Sequence, residues 1–352
     1  MLYLGFGQNS KQELLEKEKN YCEKEYKNRR KNISSPFSFG EDFLFGKESA
    51  DPIKSLSEFS SAWLDDPSSY LDLKKYSLSK ISKKNDLFCF SSILNKEDDQ
   101  ANFYTSFYPK ARTNKKVVAI VVPHWNAKRS RYLLGTNIVR NLLLPLSTAI
   151  YFPSYEQDNE IEYDMVGPNI GLSLYRFWQD ILNLKHFANY LKNDLGFDKV
   201  GLVSFSLGSP RALMATIFLD IEIDFLLMNF LADDHTEAVM KGAWTREIAE
   251  IIEPHIEYEE LKKIWMPMSP GAYTEYFNKL PKATCLTQGK YDLIFGLENA
   301  RKIMRKFRQN APFVNIEEGM FGHVTIAQFE KSIPLMIRNA RFIRKNTELK
   351  LI

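Results

Sequence analysis

Cysteine is scarce in this 352-residue chain: Cys22, Cys89 and Cys285 stand far apart, with no C-x-x-C pair among them. That spacing disfavours a zinc ribbon and a disulfide framework alike, so the thiols are expected to be reduced and structural. No apolar run approaches the ~20 residues that cross a membrane, and no transmembrane segment is expected. Residues 1 to 7 are too short for the apolar core of a signal peptide, and the highly charged stretch 11 to 31 follows them. A cytoplasmic location is therefore expected. An excess of one charge is also missing. The 47 Lys and Arg nearly cancel the 44 Asp and Glu, leaving a net +3, which argues against nucleic acid as a partner.

What remains is 44% hydrophobic and 26% charged, the balance of a soluble globular protein, and long enough for one large α/β core or two smaller ones. Residues 11 to 31 mix both charges, with Leu14, Leu15, Tyr21, Cys22 and Tyr26 unevenly spaced. They read as a solvated helix laid across the rest of the chain, or as an arm for a partner. Residues 32 to 85 carry the aromatic anchors Phe43, Phe45, Trp63 and Tyr70 but suggest no chemistry. From Leu87 the pattern turns to strands, expected at 87 to 93, 102 to 108 and 116 to 122, the first two antiparallel and the third buried. Further strands are expected at 148 to 152, 200 to 203, 225 to 230, 283 to 287 and 313 to 316, with helices at 131 to 144 and 172 to 195. In the long helix Leu174, Phe177, Trp178, Ile181, Leu184, Phe187 and Leu191 recur near helical spacing as a core stripe. His186 lies off that stripe, which predicts a surface histidine, and Gly196 stops the helix as a C-cap would.

Residues 199 to 211 read K-V-G-L-V-S-F-S-L-G-S-P-R: a buried strand, a tight turn and the start of a helix. Ser206 sits at the turn with Ser204 and Gly208 two residues to either side, a variant of G-x-S-x-G. Small neighbours let chain pass chain and lift the serine hydroxyl clear of the sheet. Such a turn stores about 1–3 kcal/mol of strain, typically at functional sites. An ordinary βα loop whose serine caps a helix would show the same letters.

Other strand ends carry chemistry as well. The strand at 116 to 122 ends in Pro123-His124-Trp125-Asn126, a loop able to supply a backbone N–H to an oxyanion hole, from Trp125 or Asn126, joined by that of Leu207. His124 would either touch substrate or hold that loop. Glu156 follows the next strand as a pocket residue or a solvated carboxylate, and residues 157 to 169 would rim the entrance. Residues 236 to 280 are a helical insertion with Trp244, Trp265, Met266, Met268 and Tyr273, suited to a lid or acyl-binding wall, or to plain helical packing. The last two strands lead to Gly289-Lys290-Tyr291-Asp292 and to Gly322-His323, at the sheet end where ligand sites collect.

The order Ser206, Asp292, His323 after successive strands resembles the α/β-hydrolase superfamily from about residue 86 to the end. Within it the chain looks most like the branch around α/β-hydrolase domain-containing protein 18, on PSYE at 153 to 156, SFSLGS at 204 to 209, WMPMSPGAY at 265 to 273, GKYDLIF at 289 to 295 and GHVTIA at 322 to 327. Ser204 and Trp125 are departures from the usual pattern. The resemblance implies an α/β-hydrolase fold: a mostly parallel central sheet, helices on both faces and the helical insertion 236–280 as a lid. The catalytic domain would span 86–352 behind an N-terminal extension, 1–85.

The activity implied is that of a serine hydrolase of the esterase-lipase type, with no metal or cofactor. A serine hydroxyl is a weak nucleophile at neutral pH, so an imidazole must take its proton and a carboxylate must orient that ring. Ser206 would be the nucleophile, His323 the base and Asp292 the orienting acid, with Leu207 and Trp125 or Asn126 as oxyanion donors and His124 and Glu156 at the substrate. Asp233 and Asp234 are rival acids and His235 a weaker candidate base. Arg211 would bind an anionic group or form an ion pair at the helix surface. The expected substrate is a small-molecule or lipid ester. A serine peptidase, or a catalytically silent protein that binds a ligand or partner, are the alternatives.

Overall fold

Residues 11–29, 36–94, 100–107, 114–125, 146–153, 166–218, 221–323, 325–327 and 329–350 are described in a computed structural model of the chain. Asn126, Glu156, the expected helix at 131 to 144 and most of the expected rim loop lie outside these residues. The described strands are β1 (Ser82–Lys84), β2 (Leu87–Ser91), β3 (Gln100–Ser106), β4 (Val117–Val122), β5 (Ser147–Pro153), β6 (Lys199–Phe205), β7 (Phe225–Asn229), β8 (Thr284–Gly289) and β9 (Asn315–Gly319). They form one sheet in the order β1-β2-β3-β5-β4-β6-β7-β8-β9. Pairing is antiparallel from β1 to β5 and parallel from β5 to β9.

Strand β4 shows why the sheet needs cover on both sides. All six of its residues are buried; Val118, Ile120 and Val122 enter the larger core, while Val117 and Ala119 enter a second one. Alternate side chains of a strand point to opposite faces, so a run apolar throughout must be packed from both. The helices are α1 (Lys11–Arg29), α2 (Asp42–Phe45), α3 (Pro52–Asp65), α4 (Pro67–Tyr70), α5 (Ile170–Asn193), α6 (Gly208–Ile217), α7 (His235–Lys241), α8 (Arg246–Ile252), α9 (Tyr258–Trp265), α10 (Leu297–Asn310) and α11 (Phe329–Thr347). Helices α5, α6 and α10 supply the larger core; Ala340 and Ile343 of α11 supply the second.

The long helix starts where Asn169 caps it by accepting the Leu172 N–H at 2.9 Å, and the chain turns away through Gly196 at φ +60°. His186 is not the surface residue its position off the stripe predicted. It is half-buried against Phe90, ring centroids 4.8 Å apart, with Nε2 3.2 Å from Ser79 O. The reason lies in residues 36 to 94, which wrap over α5 and enter the same core. Leu56, Trp63 and Leu71 are fully buried there, and Trp178 donates to Tyr70 O at 2.9 Å.

Much of the insertion is the plain helical packing that was one of its expected roles. Trp265, Met268, Tyr273 and Phe277 are at most 1% exposed and belong to the core, where α9 packs on α3 and Ser60 donates to Ile264 O at 2.6 Å. Ala238 and Val239 of α7, with Trp244 and Thr245 just before α8, face the cavity described next. None of the described helices is long and apolar enough to cross a membrane.

Candidate active site

The strand order reverses around β4: the chain goes from β4 to β5 on one side, then returns to β6 on the other. The carboxyl ends of β4 and β6 are therefore a topological switch point, the usual place for a ligand in an open α/β sheet. Pairing of Val122 with Ser204, Phe205 with Asn229 and Gly289 with Gly319 brings the strand ends to one edge. His124 and Trp125 follow β4, Ser206 and Leu207 follow β6, Phe230 follows β7, Asp292 follows β8 and His323 follows β9.

Ser206 has φ +54°, a left-handed conformation rare for a residue with a side chain. The strained turn is held on both sides: Ser206 N–H donates to Asn229 O and Ser209 N–H to Ser206 O, each at 2.8 Å. Gly208 has a steric reason to be glycine, because a Cβ there would lie 2.4 Å from Pro123 O and 2.6 Å from Val122 O. The β4 loop thus runs directly against the serine turn. Ser204 fits where glycine is more usual because its hydroxyl lies 3.2 Å from both Leu227 O and Ser209 Oγ. Leu207 stands at the N-cap of α6, where backbone N–H groups are not consumed by the helix and face outward.

Asp292 is fully buried. Its Oδ1 accepts the N–H groups of Ile294 at 2.9 Å and Phe295 at 3.0 Å, and His323 Nδ1 lies 3.1 Å from Oδ2. Backbone amides can only donate, so the carboxylate is held as an acceptor and the imidazole hydrogen belongs on Nδ1. That tautomer leaves Nε2 with its lone pair. The ring is fixed by aromatic contacts as well, stacked on Phe230 at 4.3 Å and edge-on to Phe295 at 4.8 Å.

Ser206, His323, Leu207, Trp125 and His124 line one cavity of about 530 Å³. The rest of its wall is mostly apolar: Phe205, Phe230, Ile294, Phe295, Ile326 and, from the insertion, Ala238, Val239 and Trp244. Tyr21 of α1 also reaches it. No Lys, Arg, Asp or Glu is among the described residues that line it. Phe230 and Phe295 are not among the site residues expected from the sequence. Phe230 sits at φ +66°, invisible in the letters; Phe295 carried one signal, its place three residues after Asp292, the spacing of a side-chain-to-backbone turn.

The rival residues are occupied elsewhere. Asp233 pairs with Lys306 at 2.8 Å, and Asp234 caps α7 by accepting Glu237 N–H at 3.0 Å while facing Lys262 at 3.3 Å. Arg211 is not a surface residue: it is 1% exposed, with Nε 2.6 Å from Asp180 and Nη1 donating to Leu207 O at 2.7 Å. It supports the serine turn from below rather than meeting solvent.

His235 is also buried, edge-on to Trp265, with no hydrogen-bond partner for Nε2 among the described residues. Burial first, then the Arg211 guanidinium, pushes its pKa down to about 3 against the pull of Asp234. An unfolded chain takes this proton near pH 6.5 and the folded protein does not. Stability is therefore full above that pH and falls as pH drops toward about 3, by up to about 1.4 kcal/mol per pH unit. Urea midpoints are expected to decline more steeply with acid in the wild type than in His235→Leu; equal slopes would contradict this.

No family model matches the chain, and no curated protein matches it in sequence. Among solved structures it is similar to acetyl xylan esterase 1 from Thermoanaerobacterium sp., at 11% identity and a TM-score of 0.51, covering 89% of this chain and 98% of that one. It is also similar to an acylaminoacyl peptidase from Pyrococcus horikoshii, at 12% identity and a TM-score of 0.52, covering 77% of this chain but 42% of that longer one. Likeness at these identities extends to the architecture alone. The mostly parallel sheet, its helical cover and these neighbours give the chain the α/β-hydrolase fold.

Proposed function

We propose that the protein is a serine hydrolase that cleaves a carboxylic ester with an apolar acyl group through an acyl-enzyme on Ser206. The observation that carries this reading is the shared cavity, which joins a serine on a strained strand-to-helix turn to an imidazole whose Nδ1 meets a buried carboxylate. His323 Nε2 takes the Ser206 proton as Oγ attacks the ester carbonyl. Main-chain N–H groups of Leu207 and the β4 loop receive the oxyanion; one such donor is worth roughly two to three orders of magnitude in rate. The alcohol leaves with the proton from His323, and water, deprotonated by the same ring, releases the acid and frees Ser206.

The aromatic-rich wall supports an apolar acyl chain, since no Lys, Arg, Asp or Glu is among its described residues to pair with a charged substrate group. A lipid acyl ester is one such substrate. The test is fluorophosphonate labelling of the purified protein, followed by p-nitrophenyl esters of increasing chain length. Labelling is expected, with kcat/KM rising roughly fourfold per added methylene over the first few carbons, as ~0.8 kcal/mol of burial each implies. Activity confined to acetate would overturn the apolar preference. A folded protein that does not label would favour a ligand-binding role instead.

A further inference from the structure

The buried face of α1 has a carboxylate at its centre. Leu14, Glu18 and Cys22, one helical step of four apart, are 6%, 0% and 3% exposed. Burying a carboxylate is costly unless its oxygens take hydrogen bonds, and Glu18 Oε2 accepts the Thr325 N–H at 3.0 Å. Thr325 lies two residues beyond His323. Its Oγ1 accepts the Gly322 N–H at 2.8 Å, and Ile326 N–H donates to Gly322 O at 3.3 Å. Hydrogen bonds from Gly322 to Thr325 and from Ile326 back to Gly322 thus close on themselves beside His323, with the Thr325 amide held by Glu18.

Packing agrees with the hydrogen bond. A Cβ on Gly322 would fall 2.2 Å from Glu18 Cδ and 2.4 Å from Oε2, so this turn can approach α1 only with glycine there. One residue beyond Cys22, Glu23 also meets Arg246 of α8 at 3.2 Å in an exposed ion pair. The Cys22 thiol feels the same cluster: burial first, then Glu18, Asp292 and Glu23, push its pKa up to about 12.

We propose that Glu18 is a positioning residue for His323: by taking the Thr325 N–H and filling the space beside Gly322, it keeps Nδ1 on Asp292 and Nε2 toward Ser206. This role rests on the reading of Ser206, Asp292 and His323 given above. It makes the helix at 11 to 29 part of the site rather than an appended arm.

The experiment measures kcat and KM on a short p-nitrophenyl ester, per fluorophosphonate-titrated site, together with amide exchange of residues 322 to 326. Glu18→Ala is expected to lower kcat about 10²-fold, the scale of a misplaced catalytic group, with KM little changed and faster exchange at Thr325. Glu18→Gln keeps an oxygen acceptor for Thr325 and is expected to recover most of kcat. A purely structural role would reduce the number of titratable sites and leave the rate per site intact. Should Glu18→Ala not fold, Glu18→Asp serves: it withdraws the carboxylate by one methylene and kcat is expected to fall. A wild-type rate per site in Glu18→Ala or Glu18→Asp, or a Glu18→Gln protein as slow as Glu18→Ala, overturns the role of Glu18 alone. A wild type that neither labels nor turns over ester overturns the reading of Ser206, and this role with it.

Discussion

Ser206→Ala is expected to abolish fluorophosphonate labelling and to lower kcat on a p-nitrophenyl ester by about 10⁶-fold, the scale seen when a triad nucleophile is removed. The residual rate, about 10³–10⁴ over water, would come from oxyanion donors and binding alone. The substitution is clean because alanine keeps the Cβ and inherits the same φ of +54°, so the strain and the hydrogen bonds of the turn through Asn229 O and Ser209 N–H persist. Its melting temperature should match the wild type. A Ser206→Ala protein that still turns over the ester at a comparable rate would show that another residue carries the chemistry.

Asp292→Asn is expected to lower kcat about 10⁴-fold near neutral pH while leaving the fold in place. The side-chain oxygen of asparagine can still accept the N–H groups of Ile294 and Phe295, now met by Asp292 Oδ1. Its amide nitrogen would then face His323 where Oδ2 stood. An NH₂ group donates, so Nδ1 must become the acceptor and the ring hydrogen moves to Nε2, which removes the lone pair that Ser206 needs. Asp233→Asn is the control. Its carboxylate pairs with Lys306 outside the cavity, so its kcat should stay close to that of the wild type. If Asp233→Asn and not Asp292→Asn suppresses turnover, the assignment of the orienting acid is wrong.

The central strands were legible because their runs are apolar on both faces, a pattern that only a covered sheet accommodates: 116 to 122 anticipates Val117–Val122 and 225 to 230 anticipates Phe225–Asn229. Edges were less so. The last strand is Asn315–Gly319, half-buried or exposed throughout with Glu317 and Glu318 in it, and its weak alternation let the expected strand begin early. The three-residue β1 is exposed throughout and leaves no hydrophobic signal at all.

For the site, the turn motifs marked Ser206, Asp292 and His323 because each needs particular residue types at close sequence spacing: small neighbours beside a strained serine, and glycine beside a bend. Local pattern by itself determined the sheet's centre, the long helix, the start of the helix after the serine turn and the loops that could carry chemistry; α10 and α11, which cover the sheet as well, it did not place. Which carboxylate meets His323, and that Asp233 and Asp234 are engaged with lysines instead, only the tertiary structure decided, because residues on separate loops share no local spacing. The burial of Arg211 against Asp180 and of Glu18 against Thr325 was decided the same way. In both cases a charged side chain looks solvated in one dimension, and a partner 31 or 307 residues away supplies the hydrogen bond that lets it leave water.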